Sequence, residues 1–246
     1  MKNSFLSSKS FKVRAKVSTG IVLVVLIGAL TPNVYGLRAV YIAAAILSLI
    51  EVHTLAIATE QLSWQNICHV GFVLLVLALS IIAVLILPKA WLIMGIVLTM
   101  ASDVGAYMVG KICGRKFIES RPFPTVSPNK SWEGVIGGLL IPGLIAPICG
   151  YVLRDDLLSR PLLVAVGCLA GICAILGDTC ESSLKRHLGV KDANDVLKTK
   201  PVFRHVEALL GGSEGHGGYY DRLDSMSIVL LFLGIITVLL TFISSF

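Results

Sequence analysis

The sequence predicts an all-α fold, a polytopic integral membrane bundle of about seven transmembrane helices. Three observations carry that prediction. Apolar residues make up 55% of the 246 residues, and mean hydropathy is +0.85, well outside the range of ordinary soluble domains. The apolar residues fall in runs close to the ~20 residues needed to cross a hydrocarbon core. The charges between the runs are distributed unevenly.

The first expected span, roughly 17–35, follows a basic arm holding Lys2, Lys9, Lys12, Arg14 and Lys16. That opening has the form of a signal peptide. Ile21 to Leu30, however, runs into Thr31-Pro32-Asn33 without a small-x-small cleavage pattern, so a retained span is expected. The second span, roughly 37–58, is the least uniform because Glu51 and His53 fall near its end. Further spans are expected at roughly 67–87, 90–110, 133–153, 161–181 and 226–244. Residues 1–100 thus read as membrane helices with a basic arm, and 101–246 as a membrane domain carrying the polar motifs. A polar insertion occupies about 193–213. The six cysteines form no CxxC pair and no zinc spacing, and read as small apolar packing residues.

Charge orients the bundle. With a cytoplasmic N-terminus, all but four of the 21 lysines and arginines fall on the inner side. The exceptions are Arg38, Lys89, Arg154 and Arg160. This is the asymmetry of the positive-inside rule, and it gathers the polar motifs on one face. Asp103 lies within a span, where an ionisable residue marks a functional site by default. Ser127-Pro128-Asn129-Lys130-Ser131-Trp132-Glu133-Gly134 follows, with Ser131 placed to cap the next helix and Trp132 at the interface. Asp178, Glu181 and Lys185 follow i, i+3, i+7 spacing and share one helical face. An internal Glu181–Lys185 ion pair on a solvated face is the plain alternative. Gly215-His216-Gly217-Gly218 runs into Asp221-Arg222-Leu223-Asp224, where Asp221 and Asp224 lie on one face if a helix starts there.

These residue types suit a particular chemistry. Carboxylates such as Asp103, Asp178, Glu181, Asp221 and Asp224 suit Mg²⁺, which binds one or two carboxylates together with phosphate oxygens. Lys130, Lys185, Arg186, Lys191 and Arg222 suit phosphate. Glycine turns offer N–H groups to anions. Together they point to metal-assisted phosphoryl or nucleotidyl transfer with a lipid as one substrate. Neither a GxxxxGK[ST] loop nor GxGxxG is present.

Four blocks in order resemble the phosphatidate cytidylyltransferase (CDP-diacylglycerol synthase) family. They are Asp103 with Ala106 and Tyr107; Ser127–Gly134; Gly177-Asp178 with Glu181-Ser182; and the run from Ser182-Ser183-Leu184-Lys185-Arg186 through Lys191-Asp192 to Gly215–Asp224. The blocks cover about the last 145 residues, and residues 1–100 match only as apolar spans. Two features depart from the family pattern. One is the insertion, with Glu214 where proline is usual. The other is a membrane part shorter by a helix or two near residues 60–90.

The resemblance implies CTP and phosphatidate as substrates, CDP-diacylglycerol and pyrophosphate as products, and Mg²⁺ with room for a second cation. It implies Asp178 and Asp221 as primary metal carboxylates, with Glu181 as a further metal acid and Asp224 in support. Lys130, Lys185, Arg186 and Arg222 would hold phosphates, Ser127 and Asn129 would add hydrogen bonds, and His216 would contact a phosphate. It further implies a homodimer and no nucleic-acid partner. The expected location is the bacterial inner (plasma) membrane, with the active-site loops cytoplasmic. A CTP-dependent polyprenol or phytol kinase and a membrane transporter are the alternative readings.

Overall fold

The computed structural model describes residues 33–59, 63–154, 158–190 and 220–245. Among these residues it is all-helical, with six helices long and apolar enough to cross a membrane. They are α1 (Tyr35–Thr59), α2 (Trp64–Ile86), α3 (Lys89–Cys113), α4 (Trp132–Val152), α5 (Arg160–His187) and α6 (Tyr220–Ile243). Six of the seven expected spans are therefore present, each near its expected position. Nearly all of the first, 17–35, lies outside the described residues, as do the 193–213 insertion, Lys191 and the glycine turn with His216.

Two boundaries differ from expectation. α5 continues past 181 to His187, and α6 begins at Tyr220 rather than near 226. In both cases the extra turn is largely polar, with Ser182, Ser183, Lys185, Asp221 and Asp224 among its residues, so a search for apolar length stops short of it.

Connectivity sets the two ends of the bundle. α2 and α3 are joined only by Leu87 and Pro88, which form the C-cap of one and the N-cap of the other. At this junction Arg38 of α1 donates to the Leu87 carbonyl at 3.0 Å. Successive crossings then bring the end of α1, the start of α2, the α3–α4 loop, the end of α5 and the start of α6 to the opposite face. α6 is the central strut, packed against α5, α2, α3 and α1. Tyr41 of α1 places its hydroxyl 2.7 Å from Ser80 Oγ on α2 and 3.2 Å from Ser227 Oγ on α6, which ties three helices at a buried point.

The main core runs through Trp91, Leu92, Met94 and Leu98 of α3 and Leu230 and Leu233 of α6. A second cluster, including Val52, Leu77, Leu184 and Tyr220, supports the motif end. Outward faces are apolar instead of charged, as at Ile57, Leu75, Ile82, Leu144 and Leu239, each more than half exposed. Such a surface suits lipid and not water.

α3, α4 and α5 meet along small residues, which lets their backbones approach closely. A Cβ on Gly105 would lie 2.8 Å from the Gly137 carbonyl, and one on Gly171 would lie 2.5 Å from the Gly138 carbonyl. Pro142, inside α4, has no N–H for the carbonyl four residues earlier, that of Gly138. Ser102 of α3 supplies the missing donor, with Oγ 2.8 Å from that oxygen. A proline defect in one helix thereby becomes an interhelical hydrogen bond.

Candidate active site

The α3–α4 elbow is built around one buried acid. Ser131 accepts the Gly134 N–H at 3.2 Å and caps α4, as its position suggests. Glu133, in the first helical turn, reaches back across the loop. Its Oε2 accepts the Arg115 N–H at 3.1 Å, and its Oε1 accepts those of Phe117 and Ile118, each at 3.0 Å. One carboxylate thus satisfies three backbone donors of a turn that has no regular structure, and Arg115 sits there with φ of 61°. Glu133 drew no role in the sequence, where it is simply part of a motif.

The α5–α6 seam assembles the acids. Gly177 lets the two helices touch: a Cβ there would lie 2.5 Å from the Asp224 carbonyl and 2.6 Å from Ser225 Cα. Next to this contact, oxygens of Asp178, Glu181 and Asp224 come within 4.8 Å of one another. Glu181 and Asp224 are buried, and Asp178 is partly open. One turn on, Lys185 is ion-paired to Glu181 and also to Asp221, the latter at 2.9 Å. The Glu181–Lys185 pair is therefore formed within α5, but at a largely buried place where Lys185 also bridges to Asp221 of α6, and not on a solvated face. Asp221, expected beside Asp178 as a metal ligand, lies with Lys185 outside the three-acid group. Glu51 of α1, buried, accepts the first N–H of α6 from Tyr220 at 3.2 Å. A negative charge at a helix N-terminus is favourable, and this one fixes where the Asp221–Asp224 turn begins.

Lys130 joins the elbow to the acids. Its ammonium is ion-paired to Asp178, lies 3.5 Å from Thr179 Oγ1, and sits 5.6 Å from the centre of the Phe123 ring. Beside it opens a cavity of about 580 Å³ between α3, the elbow, the start of α4 and α5. Asp103, Ser127, Asn129, Lys130 and Asp178 all line it. Asp178 therefore belongs to both the cavity and the acid group. Arg186 and Arg222 are exposed and do not line the cavity. Tyr107, Lys111 and Arg115 do line it. In the sequence Tyr107 stands out only as part of a motif, and Lys111 and Arg115 only as inner-side charge.

The three-acid group fits a hard divalent cation. All its donors are carboxylate oxygens, the ligand type such ions prefer. Glu181 and Asp178 each have a lysine partner, whereas buried Asp224 has no ion pair among the described residues. A buried carboxylate without a counter-charge is costly, and a shared cation removes that cost.

A sequence model of the cytidylyltransferase family matches residues 4–200. The chain belongs to that family. The match ends before Gly215–Asp224, yet Asp224 completes a carboxylate group whose other two members lie inside it. Among curated relatives, the phosphatidate cytidylyltransferase of Staphylococcus haemolyticus is 38% identical over 137 residues, 56% of this chain and 45% of that protein. The protein of that name from Staphylococcus aureus is 36% identical over the same shares. That from Staphylococcus epidermidis is 31% identical over 148 residues, 60% of this chain and 49% of the relative. The chain thus spans about half the length of the curated relatives it matches.

Proposed function

We propose that the protein transfers the cytidylyl group of CTP to phosphatidate, giving CDP-diacylglycerol and pyrophosphate. The observation that carries this reading is the meeting of a three-carboxylate group with a cation-lined cavity at a single residue, Asp178. Family membership and the names of the relatives support it. The cavity volume, about 580 Å³, suits a nucleotide or a lipid headgroup.

In the reaction, a phosphate oxygen of phosphatidate attacks the α-phosphorus of CTP and forms a new P–O bond. The bond from that phosphorus to the α,β-bridging oxygen breaks, and its electron pair leaves with pyrophosphate. The attacking oxygen is already ionised at neutral pH, so no strong general base is required. The barrier lies in bringing two polyanions together in line. Held by Asp178, Glu181 and Asp224, a divalent cation, Mg²⁺ by the hardness of its donors, would neutralise phosphate charge.

The chain's own residues do the rest. Lys130, anchored by Asp178, stands at the border of cavity and acids where a phosphate oxygen arrives. Lys185 holds Glu181 and Asp221 across the α5–α6 seam and keeps the acid group in place. Ser127 and Asn129 offer hydrogen bonds from the cavity wall. The basic loops favour a cytoplasmic position for this face, in a bacterial inner membrane.

The test is product identity. Protein purified in detergent, given CTP, phosphatidate and Mg²⁺, is expected to release pyrophosphate and form CDP-diacylglycerol, with neither appearing when metal is chelated. CDP and a newly phosphorylated lipid would instead mark a lipid kinase, and no CDP-lipid with any divalent metal would reject the proposal.

A further inference from the structure

The acid end of the cavity accounts for Lys130 and Asp178 but leaves its other rim unexplained. Lys111, in the last turn of α3, and Arg115, in the elbow, both line the cavity. Lys130 and Lys185 are each bound to carboxylates, whereas neither Lys111 nor Arg115 has a carboxylate within ion-pair reach among the described residues. Both are nonetheless held. Lys111 Nζ is 3.2 Å from the Tyr107 hydroxyl and 5.4 Å from the centre of its ring. Arg115 is fixed through its backbone by Glu133, and its Nη2 donates to the Pro128 carbonyl at 3.4 Å. Two positioned cations line one cavity with no ion pair to either among the described residues, and a buried acid, Glu133, shapes the turn that carries one of them.

The surroundings of these cations are apolar and open. Met108 and Ile112 flank Lys111 on α3 and are 50% and 60% exposed. Beyond Arg115, Phe117 is 80% exposed. A free nucleotide gains little from such a border. An anion attached to hydrocarbon gains from both parts: the charge meets the two cations while its chains lie on the outward face of α3 and the elbow.

We propose that Lys111 and Arg115 form a second anion subsite, distinct from the metal end, that takes the phosphate monoester of phosphatidate at the membrane-facing rim. Glu133 is its positioning residue. This rests on the reading of the protein as a phosphatidate-using enzyme. It divides the cavity by substrate, with the lipid phosphate entering from the Lys111–Arg115 rim and the nucleotide phosphates gathering near Lys130 and Asp178.

The experiment uses Lys111→Gln and Arg115→Gln in the full chain, with thermal unfolding in detergent checked against wild type. In mixed micelles, KM for phosphatidate is expected to rise about tenfold or more in each variant, the scale of a lost charge-assisted hydrogen bond. KM for CTP should stay within about twofold. A rise in KM for CTP with that for phosphatidate unchanged would assign the rim to nucleotide phosphate and overturn the proposal, as would no change in either.

A binding arm separates this from the reaction itself. Calorimetry with dioctanoyl phosphatidate and no CTP should show binding by wild type and a loss of about tenfold or more in the variants, with dioctanoylglycerol and pyrophosphate as probes that the rim does not favour. Binding that depends on Lys111 in a protein making no CDP-lipid would reject the reaction and keep the subsite. Wild-type-like phosphatidate binding by both variants, or pyrophosphate competing for the same residues, would reject the subsite.

Discussion

Gly177→Ala probes the α5–α6 seam on which the proposed metal group depends. The new methyl carbon would lie 2.5 Å from the Asp224 carbonyl oxygen and 2.6 Å from Ser225 Cα, where ordinary contact starts near 3.4 Å. The obstructing atoms are backbone, so no rotamer relieves the clash, and the helices must separate by about 0.9 Å. Overpacking of this kind costs roughly 1–3 kcal/mol, and a shift near 1 Å at a reacting centre costs about a hundredfold in rate. The variant is therefore expected to remain folded, with a melting temperature lower by a few degrees, while the Mg²⁺ concentration needed for the proposed CDP-diacylglycerol synthesis rises about tenfold or more. Gly95→Ala is the control. Its methyl would come nearest to Leu230 Cδ2 at 2.6 Å and Leu233 Cδ1 at 3.0 Å, side-chain ends and not backbone, at positions of α6 beyond the acid turn. That change should leave the Mg²⁺ dependence unaltered. A Gly177→Ala protein with wild-type Mg²⁺ dependence and turnover would show that close approach at this seam does not set the acid geometry.

Other consequences follow from individual contacts. Lys185→Met removes the shared partner of Glu181 and Asp221 and should lower stability by about 3 kcal/mol. Adding Asp221→Asn should recover part of that loss in the same melting assay. In Glu133→Gln, an amide with one acceptor oxygen replaces a carboxylate taking three N–H groups. A lower melting temperature is expected, with faster proteolysis in the 114–120 loop as the local readout. Ser102→Ala leaves the Gly138 carbonyl without the donor that compensates for Pro142. In a membrane bundle this should cost roughly 0.6–2 kcal/mol, read by unfolding in detergent.

The helices were legible because membrane-crossing length is a local property, and every expected span among the described residues is present. The ends of α5 and α6 were not, because 182–187 and 220–224 are largely polar turns, in part buried against protein and in part exposed at Arg186, His187 and Arg222. Asp178, Glu181 and Asp224 were all singled out, but their grouping was not visible. It depends on a long-range contact at Gly177, which in sequence is only a small residue before an acid. Asp221 and Asp224 look interchangeable along the chain, and the rotation of α6 separates them, turning one towards Lys185 and the other towards Asp178. Glu51 appeared as a flaw in a span, whereas it holds the N-terminus of another helix. Lys111 and Arg115 look in sequence like orienting charge because nothing local distinguishes a loop cation from one that lines a cavity.

The central claim, that Asp178, Glu181 and Asp224 hold a divalent cation, is tested most directly by Mn²⁺ binding. Titration of the purified protein with Mn²⁺, followed by electron paramagnetic resonance, should show a site that Mg²⁺ displaces. In a folded Asp224→Asn protein the dissociation constant should rise at least about tenfold, the scale of a lost charged ligand. Mn²⁺ binding of wild-type strength in Asp224→Asn would contradict the account.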